Sequence, residues 1–217
     1  MTRQVKVKIC GNTKKEDIDH AIQSGADAIG FIVGFPSTPR NLDLDTAYQL
    51  MKNIPTSIDR VAVTNEDDHN LLHNIAEKLP ITAVQLIGES SYSPEIKEIF
   101  PDTQLIKVVH AEPETIIQYA LNFSKDYDTI LIDTKTKDLP GGTGLTHDWS
   151  LSRKVVTTIH PTPVILAGGL TPLNVEEAVR KVQPYMVDVS SGVEYEPGIK
   201  DHSKVETFIK QAKGVTI

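Results

Sequence analysis

VKVKICGNTKKEDIDHAIQSGADAIGFIVG, residues 5–34, sets the pattern for the whole chain. It opens with Val5, Val7 and Ile9 alternating with Lys6, Lys8 and Cys10, the two-residue period of a strand. It then passes through Ile18, Ala21 and Ile22, which share one face at helical spacing. It closes on AIGFIVG (28–34), a near-continuous apolar run of the kind buried on both faces of a parallel sheet. Strand, helix and second buried strand in that order make one turn of a βα repeat.

The same alternation continues to the end of the chain. Further strands are expected at 58–64, 83–88, 104–110, 129–134, 163–169 and 186–192, each rich in Val and Ile, most ending in Gly, Thr or Ser. Helical faces fill the gaps: Ala47, Leu50, Met51 and Ile54; Leu71, Leu72, Ile75, Ala76 and Leu79; Ile116, Ile117, Ala120 and Leu121; Val175, Ala178, Val179 and Val182; Val205, Phe208, Ile209 and Ala212. The gap at 93–100 is thinner. Caps are expected from a Thr13/Glu16 capping box, from Pro94 and Pro113 in first turns, and from Asp201 and Gly214 around the last helix. Eight units in 217 residues give roughly 27 residues each, which suits a single (β/α)₈ TIM barrel with eight parallel strands and outer helices. An open doubly wound sheet is the alternative, but no G-x-G-x-x-G follows the first strand. No linker or composition break divides the chain, so residues 1–217 are expected to form one domain.

Composition narrows the partners. The chain is 39% hydrophobic and 24% charged, ordinary for a packed protein. Its formal net charge of −7 disfavours nucleic acid and anionic membrane surfaces. No apolar run reaches membrane-spanning length. Cys10 is the one cysteine, so no internal disulfide is available, and the N-terminal segment enters a strand without a secretion-signal core. The expected setting is the cytoplasm, as monomer or homodimer. An anionic substrate would need a local positive field against the global charge.

In a βα barrel the chemistry sits where strands end. Cys10 shares a strand face with Lys8, and a buried Lys8 needs an acid, for which Asp188 on the adjoining last strand is the candidate. A nearby cation is expected to ease ionisation of Cys10; the bland reading is a small buried hydrophobe. Asp133 follows Ile-Leu-Ile, so partial desolvation is expected to raise its pKa and let it hold a proton; alternatively it pairs with Lys135 or Lys137. Glycines follow the last three strands: Gly142 and Gly144 in GGTG, Gly168 and Gly169, and Gly192 after Ser190 and Ser191. They suit a phosphate site, with a short helical turn expected within 192–198. Arg40, in a loop stiffened by Pro36 and Pro39, offers a planar fork to a carboxylate, or pairs with Asp43 or Asp45. His69 and His73 have i, i+4 spacing, but their neighbours suggest a solvated helix face rather than a metal site. Trp149 is expected to pack the sixth helix onto the barrel.

Taken as an ordered set, KICG (8–11), STPR (37–40), VQL (84–86), GGTG (141–144) followed by HDW, LAGGLTPLNV (166–175), VDVSSGVE (187–194) and PGIKD (197–201) make the chain resemble the phosphoribosylanthranilate isomerases of tryptophan biosynthesis. The resemblance runs from the first strand to the last helix. It implies a barrel that isomerises N-(5′-phosphoribosyl)anthranilate by Amadori rearrangement, without cofactor or metal. It assigns Cys10 as general base, Asp133 as general acid and Arg40 as the partner of the anthranilate carboxylate; Lys8, Asp188 and Gln85 are expected as supporting residues. Three departures stand out. Ile87 replaces a common histidine, Asn12 a common apolar residue, and Val63-Thr64-Asn65 an ending in phenylalanine. The alternatives are a related phosphosugar isomerase of histidine biosynthesis, which typically carries an aspartate where Cys10 stands, and a non-catalytic barrel that binds a phosphorylated ligand.

Overall fold

A computed structural model describes residues 3–88, 94–110, 112–133 and 148–217. Eight strands run parallel: β1 (Lys6–Ile9), β2 (Ala28–Val33), β3 (Asp59–Asn65), β4 (Ala83–Ile87), β5 (Gln104–His110), β6 (Thr129–Asp133), β7 (Val164–Leu166) and β8 (Met186–Val189). Each pairs with its neighbours in sequence, and β1 pairs with both β2 and β8, which closes the ring. Outside lie α1 (Lys15–Gln23), α2 (Leu44–Met51), α3 (His69–Lys78), α4 (Pro94–Ile99), α5 (Ile116–Phe123), α6 (Trp149–Thr158), α7 (Val175–Val182) and α8 (His202–Lys213). This is the (β/α)₈ barrel expected from the sequence.

Alternation along the strands divides the core into two layers. Ala28, Val61, Ala83, Ile106, Val108, Leu131, Ile165, Ala167 and Met186 fill the inside of the ring. Val7, Ile9, Ile29, Phe31, Val84, Leu86, Ile130 and Ile132 face outward to the helices. Several strands stop short of their apolar runs. Backbone at Gly11 (φ 70), Gly34 (φ 91) and Gly168 (φ 84) turns left-handed, which breaks the ladder and hands the chain to a loop.

Local details depart from expectation at three places. Thr13 does not cap α1; its hydroxyl donates to the carbonyl of Gly198, 2.5 Å away, tying the first loop to the chain's last loop. Pro113 lies in a turn ahead of α5 rather than inside it. The helical turn expected within 192–198 is a short 3₁₀ turn at Ser191–Val193, after which Glu194–Glu196 and Ile199–Lys200 pair as an antiparallel hairpin. The expected Asp201 cap holds, its carboxylate accepting from the Lys204 amide at 3.1 Å; Asp43 and Asp68, not expected as caps, serve α2 and α3 in the same way. Trp149 packs against the outer core with Lys181 Nζ over its ring.

Candidate active site

β1 carries the central polar contact of the ring. Lys8 is wholly buried inside the barrel. Its Nζ donates to Asp188 Oδ2 at 3.0 Å on the adjoining β8 and to Gln85 Oε1 at 2.9 Å on β4. Strand register explains the first contact, because Lys8 and Asp188 are direct neighbours across β1 and β8. Burial alone would discharge the ammonium, but Asp188 and then Cys10 outweigh it, so the Lys8 pKa is raised.

Cys10 continues the inward face one step beyond Ile9. Its backbone N–H still donates to the Val189 carbonyl at 2.8 Å, and only 6% of the residue is exposed. Gly30 on β2 makes room for it: a Cβ at that position would stand 2.7 Å from Cys10 Sγ and 3.1 Å from Lys8 Cε. Next to it, Asn12 is fully buried and donates from Nδ2 to the carbonyls of Ile9 at 2.7 Å and Gly30 at 3.2 Å. That bridge pins the point where the chain leaves β1. Lys8 eases ionisation of Cys10, as expected, but does not decide the net direction. Burial raises the Cys10 pKa, Asp188 adds to it, and the opposing pull of Lys8 and Lys200 does not overcome them.

Asp133 ends β6. Ile130 and Ile132 face the helices and Leu131 the interior, so Asp133 falls on the interior side, half-buried, in register with His110 of β5. Cys10 and Asp133 therefore occupy the same mouth of the ring, on β1 and β6. Gly142, Gly144 and the rest of the loop that follows Asp133 lie outside the described residues, as do Lys135 and Lys137.

Arg40 does not pair with Asp43, which caps α2, nor with Asp45. Its guanidinium forks onto Glu194, Nε to Oε1 at 2.8 Å and Nη2 to Oε2 at 2.5 Å. Lys200 Nζ reaches the same carboxylate at 3.0 Å and the Ser190 carbonyl at 3.3 Å. Burial would raise the Glu194 pKa, but two cations on one carboxylate reverse it, and it lies below its ordinary value. The Lys200 pKa also falls, for a different reason: burial of the ammonium, with Arg40 close by, outweighs its share of Glu194. Neither Glu194 nor Lys200 stood out in the sequence beyond their place in the last two motifs. A buried acid after a Ser-Ser-Gly turn, six residues from a lysine, is the only signal they left.

The loops after β7 and β8 meet at the same mouth. A Cβ on Gly192 would come within 1.9 Å of the Leu170 carbonyl oxygen, so only glycine permits that approach. Asn174 donates to the Gly169 carbonyl and accepts from the Thr171 amide, fixing the loop with Gly168 and Gly169. Ser190, Ser191 and Gly192 lead into the 3₁₀ turn. Among the described residues, Ser190 Oγ and Asp188 Oδ1 are buried polar atoms without a hydrogen-bond partner. Ile87, in place of a histidine, packs against the interior core. No cluster of three metal-ligating side chains occurs among the described residues.

Comparison with known proteins agrees with this layout. The family model described as "N-(5'phosphoribosyl)anthranilate (PRA) isomerase" matches residues 7–211. The N-(5′-phosphoribosyl)anthranilate isomerase of Legionella pneumophila (strain Lens) is 39% identical over 211 residues, 97% of this chain and 98% of its own. The crystal structure of phosphoribosyl anthranilate isomerase from Thermotoga maritima matches with a TM-score of 0.86 at 38% identity, covering 97% of this chain and 100% of that one. A further phosphoribosyl anthranilate isomerase, solved in complex with reduced 1-(o-carboxyphenylamino)-1-deoxyribulose 5-phosphate, matches at 0.80 and 36% identity over 97% and 100%. Barrel, strand-end residues and near-full-length similarity converge: the chain belongs to the N-(5′-phosphoribosyl)anthranilate isomerase family.

Proposed function

We propose that this chain isomerises N-(5′-phosphoribosyl)anthranilate to 1-(2-carboxyphenylamino)-1-deoxyribulose 5-phosphate in tryptophan biosynthesis, with Asp133 as general acid and Cys10 as general base. The observation that carries the assignment is the placement of these two side chains on the inner face of one mouth, on β1 and β6. The relative solved with the reduced product bound supports the substrate class.

Asp133 gives its proton to the furanose ring oxygen, and the C1′–O bond breaks to leave an iminium at C1′. Cys10 thiolate then takes the proton from C2′, the electron pair moves toward the iminium nitrogen, and the enolamine tautomerises to the ketone. Each positioned proton transfer contributes roughly 10²–10⁴-fold. A thiol whose pKa is raised by burial must still ionise. The cationic iminium formed beside Sγ favours the thiolate at the step that needs it. Lys8, fixed by Asp188 and Gln85, supplies a permanent charge beneath the sulfur. Arg40 meets the anthranilate carboxylate. The phosphate is held by Gly168, Gly169, Ser190, Ser191 and Gly192, with Gly142 and Gly144 of the GGTG motif as further phosphate-binding residues; such anchoring orients the sugar at a distance from the reacting bonds.

In this reading residues 1–217 act as one domain in the cytoplasm, as monomer or homodimer, without cofactor. The test adds purified protein to freshly generated fluorescent substrate. Decay in wild type that disappears in Cys10→Ser and Asp133→Asn supports the assignment. Tight, phosphate-dependent binding without decay would leave a non-catalytic binding barrel.

A further inference from the structure

Building on that reading, we propose that Glu194, backed by Lys200, is the positioning residue that gives the site its selectivity for a carboxylated aryl amine, by holding Arg40 in one orientation. Glu194 takes the Nε and Nη2 edge of the guanidinium with both oxygens, at 2.8 and 2.5 Å. A two-point fork fixes the plane of the group as well as its location. Among the described residues Nη1 makes no hydrogen bond, which leaves it for a second carboxylate. The Arg40 stem is set too: its Cδ lies 2.9 Å from where a Cβ on Gly11 would stand, one residue from Cys10.

The support behind Glu194 is itself rigid. Lys200 Nζ is buried against Glu194 Oε1 at 3.0 Å. The Lys200 amide donates to the Asp17 carboxylate at 3.0 Å, and Lys204 Nζ donates to the Glu194 carbonyl at 2.9 Å. Arg40, Glu194 and Lys200 together carry two positive charges and one negative. The cluster is therefore net positive in a chain of net charge −7. It satisfies the need for a local field that an anionic substrate imposes. Glu194 does not touch the substrate in this arrangement and acts through Arg40.

Positioning and bulk charge predict opposite signs. Glu194→Gln makes the cluster more positive, so a through-space role would lower KM for the anthranilate substrate. Loss of orientation instead raises it. The experiment measures kcat and KM for N-(5′-phosphoribosyl)anthranilate and for its analogue without the carboxylate, N-(5′-phosphoribosyl)aniline. Wild type, Glu194→Gln and Glu194→Asp are compared; the aspartate keeps the charge but is too short to hold both nitrogens. Both variants are expected to raise KM for the carboxylated substrate roughly 10-fold, the scale of one charge-assisted contact, with kcat and the aniline values unchanged. Equal losses on both substrates, or a lower KM in Glu194→Gln, would overturn the positioning role while leaving the proposed function standing. A wild type inactive on both substrates would overturn the function and this inference together.

Discussion

Gly30→Ala is the most direct probe of how the thiol is placed. The new Cβ would stand 2.7 Å from Cys10 Sγ, 3.1 Å from Cys10 Cα and 3.1 Å from Lys8 Cε. Relaxed non-bonded contacts need about 3.5–4.0 Å, so the sulfur must retreat by roughly 1 Å or rotate to another staggered position. The backbone contact at Cys10 Cα blocks simple relief, because Cys10 remains tied to Val189 and Asn12 bridges Ile9 to Gly30. Overpacking of this kind costs about 1–3 kcal/mol of stability. The effect on rate is larger, since a misplacement of about 1 Å at a reacting group costs on the order of 10²-fold, or about 2.7 kcal/mol of barrier. The assay pairs a urea melt with kcat/KM from the fluorescence decay of the anthranilate substrate. The expected variant stays folded and is about 10²-fold slower. A folded Gly30→Ala with wild-type kcat/KM would refute the placement of Cys10 as base, since no sulfur at that position could be moved without loss.

Three further outcomes follow from the same geometry. Because burial raises the Cys10 pKa above the ordinary thiol value of about 8.5, kcat/KM of the free protein should still be climbing between pH 7 and 8.5, and alkylation of Cys10 by iodoacetamide should accelerate over the same range; a flat profile would mean a thiolate already formed at neutrality. Lys8→Met strands the buried Asp188 carboxylate and should cost about 3–5 kcal/mol in chemical denaturation, much of it recovered in Lys8→Met/Asp188→Leu. Glu194 is held below its ordinary carboxyl pKa, so its contribution to stability is complete above the unfolded value and fades as pH falls through the folded one; melting temperatures of Glu194→Gln should therefore decline less steeply in acid than those of wild type.

The fold was legible because buried parallel strands advertise themselves. Each of the eight Val/Ile runs became a strand, and the helical faces between them packed outward. Alternation also put Lys8, Cys10 and Asp133 on the inner face, and closure of the ring brought Lys8 to Asp188. What the sequence hid depended on distance along the chain or on degree of burial. Arg40 and Glu194 are 154 positions apart and meet through a hairpin that no periodicity announces. Thr13 looked like a cap until the last loop, 185 positions on, claimed its hydroxyl. The direction of the Cys10 shift turned on how completely the sulfur loses water, and strand spacing says which cations are near without saying how dry the site is. The need for glycine at position 30 appears only when the neighbouring strand is in place.

The pairing of β1 with β8 imposes an order of events on biosynthesis. Lys8 emerges early from the ribosome, yet its counter-charge is 180 positions behind it. Until β8 is translated, the first strand has one ladder partner instead of two, and an ammonium with no acid to meet it. A nascent chain can assemble successive βα units as they appear, but the ring locks only at the end. Truncations that remove β8 should thus leave open, chaperone-dependent sheets rather than smaller barrels, and the pocket for a labile phosphosugar would come into being in the final moments of folding.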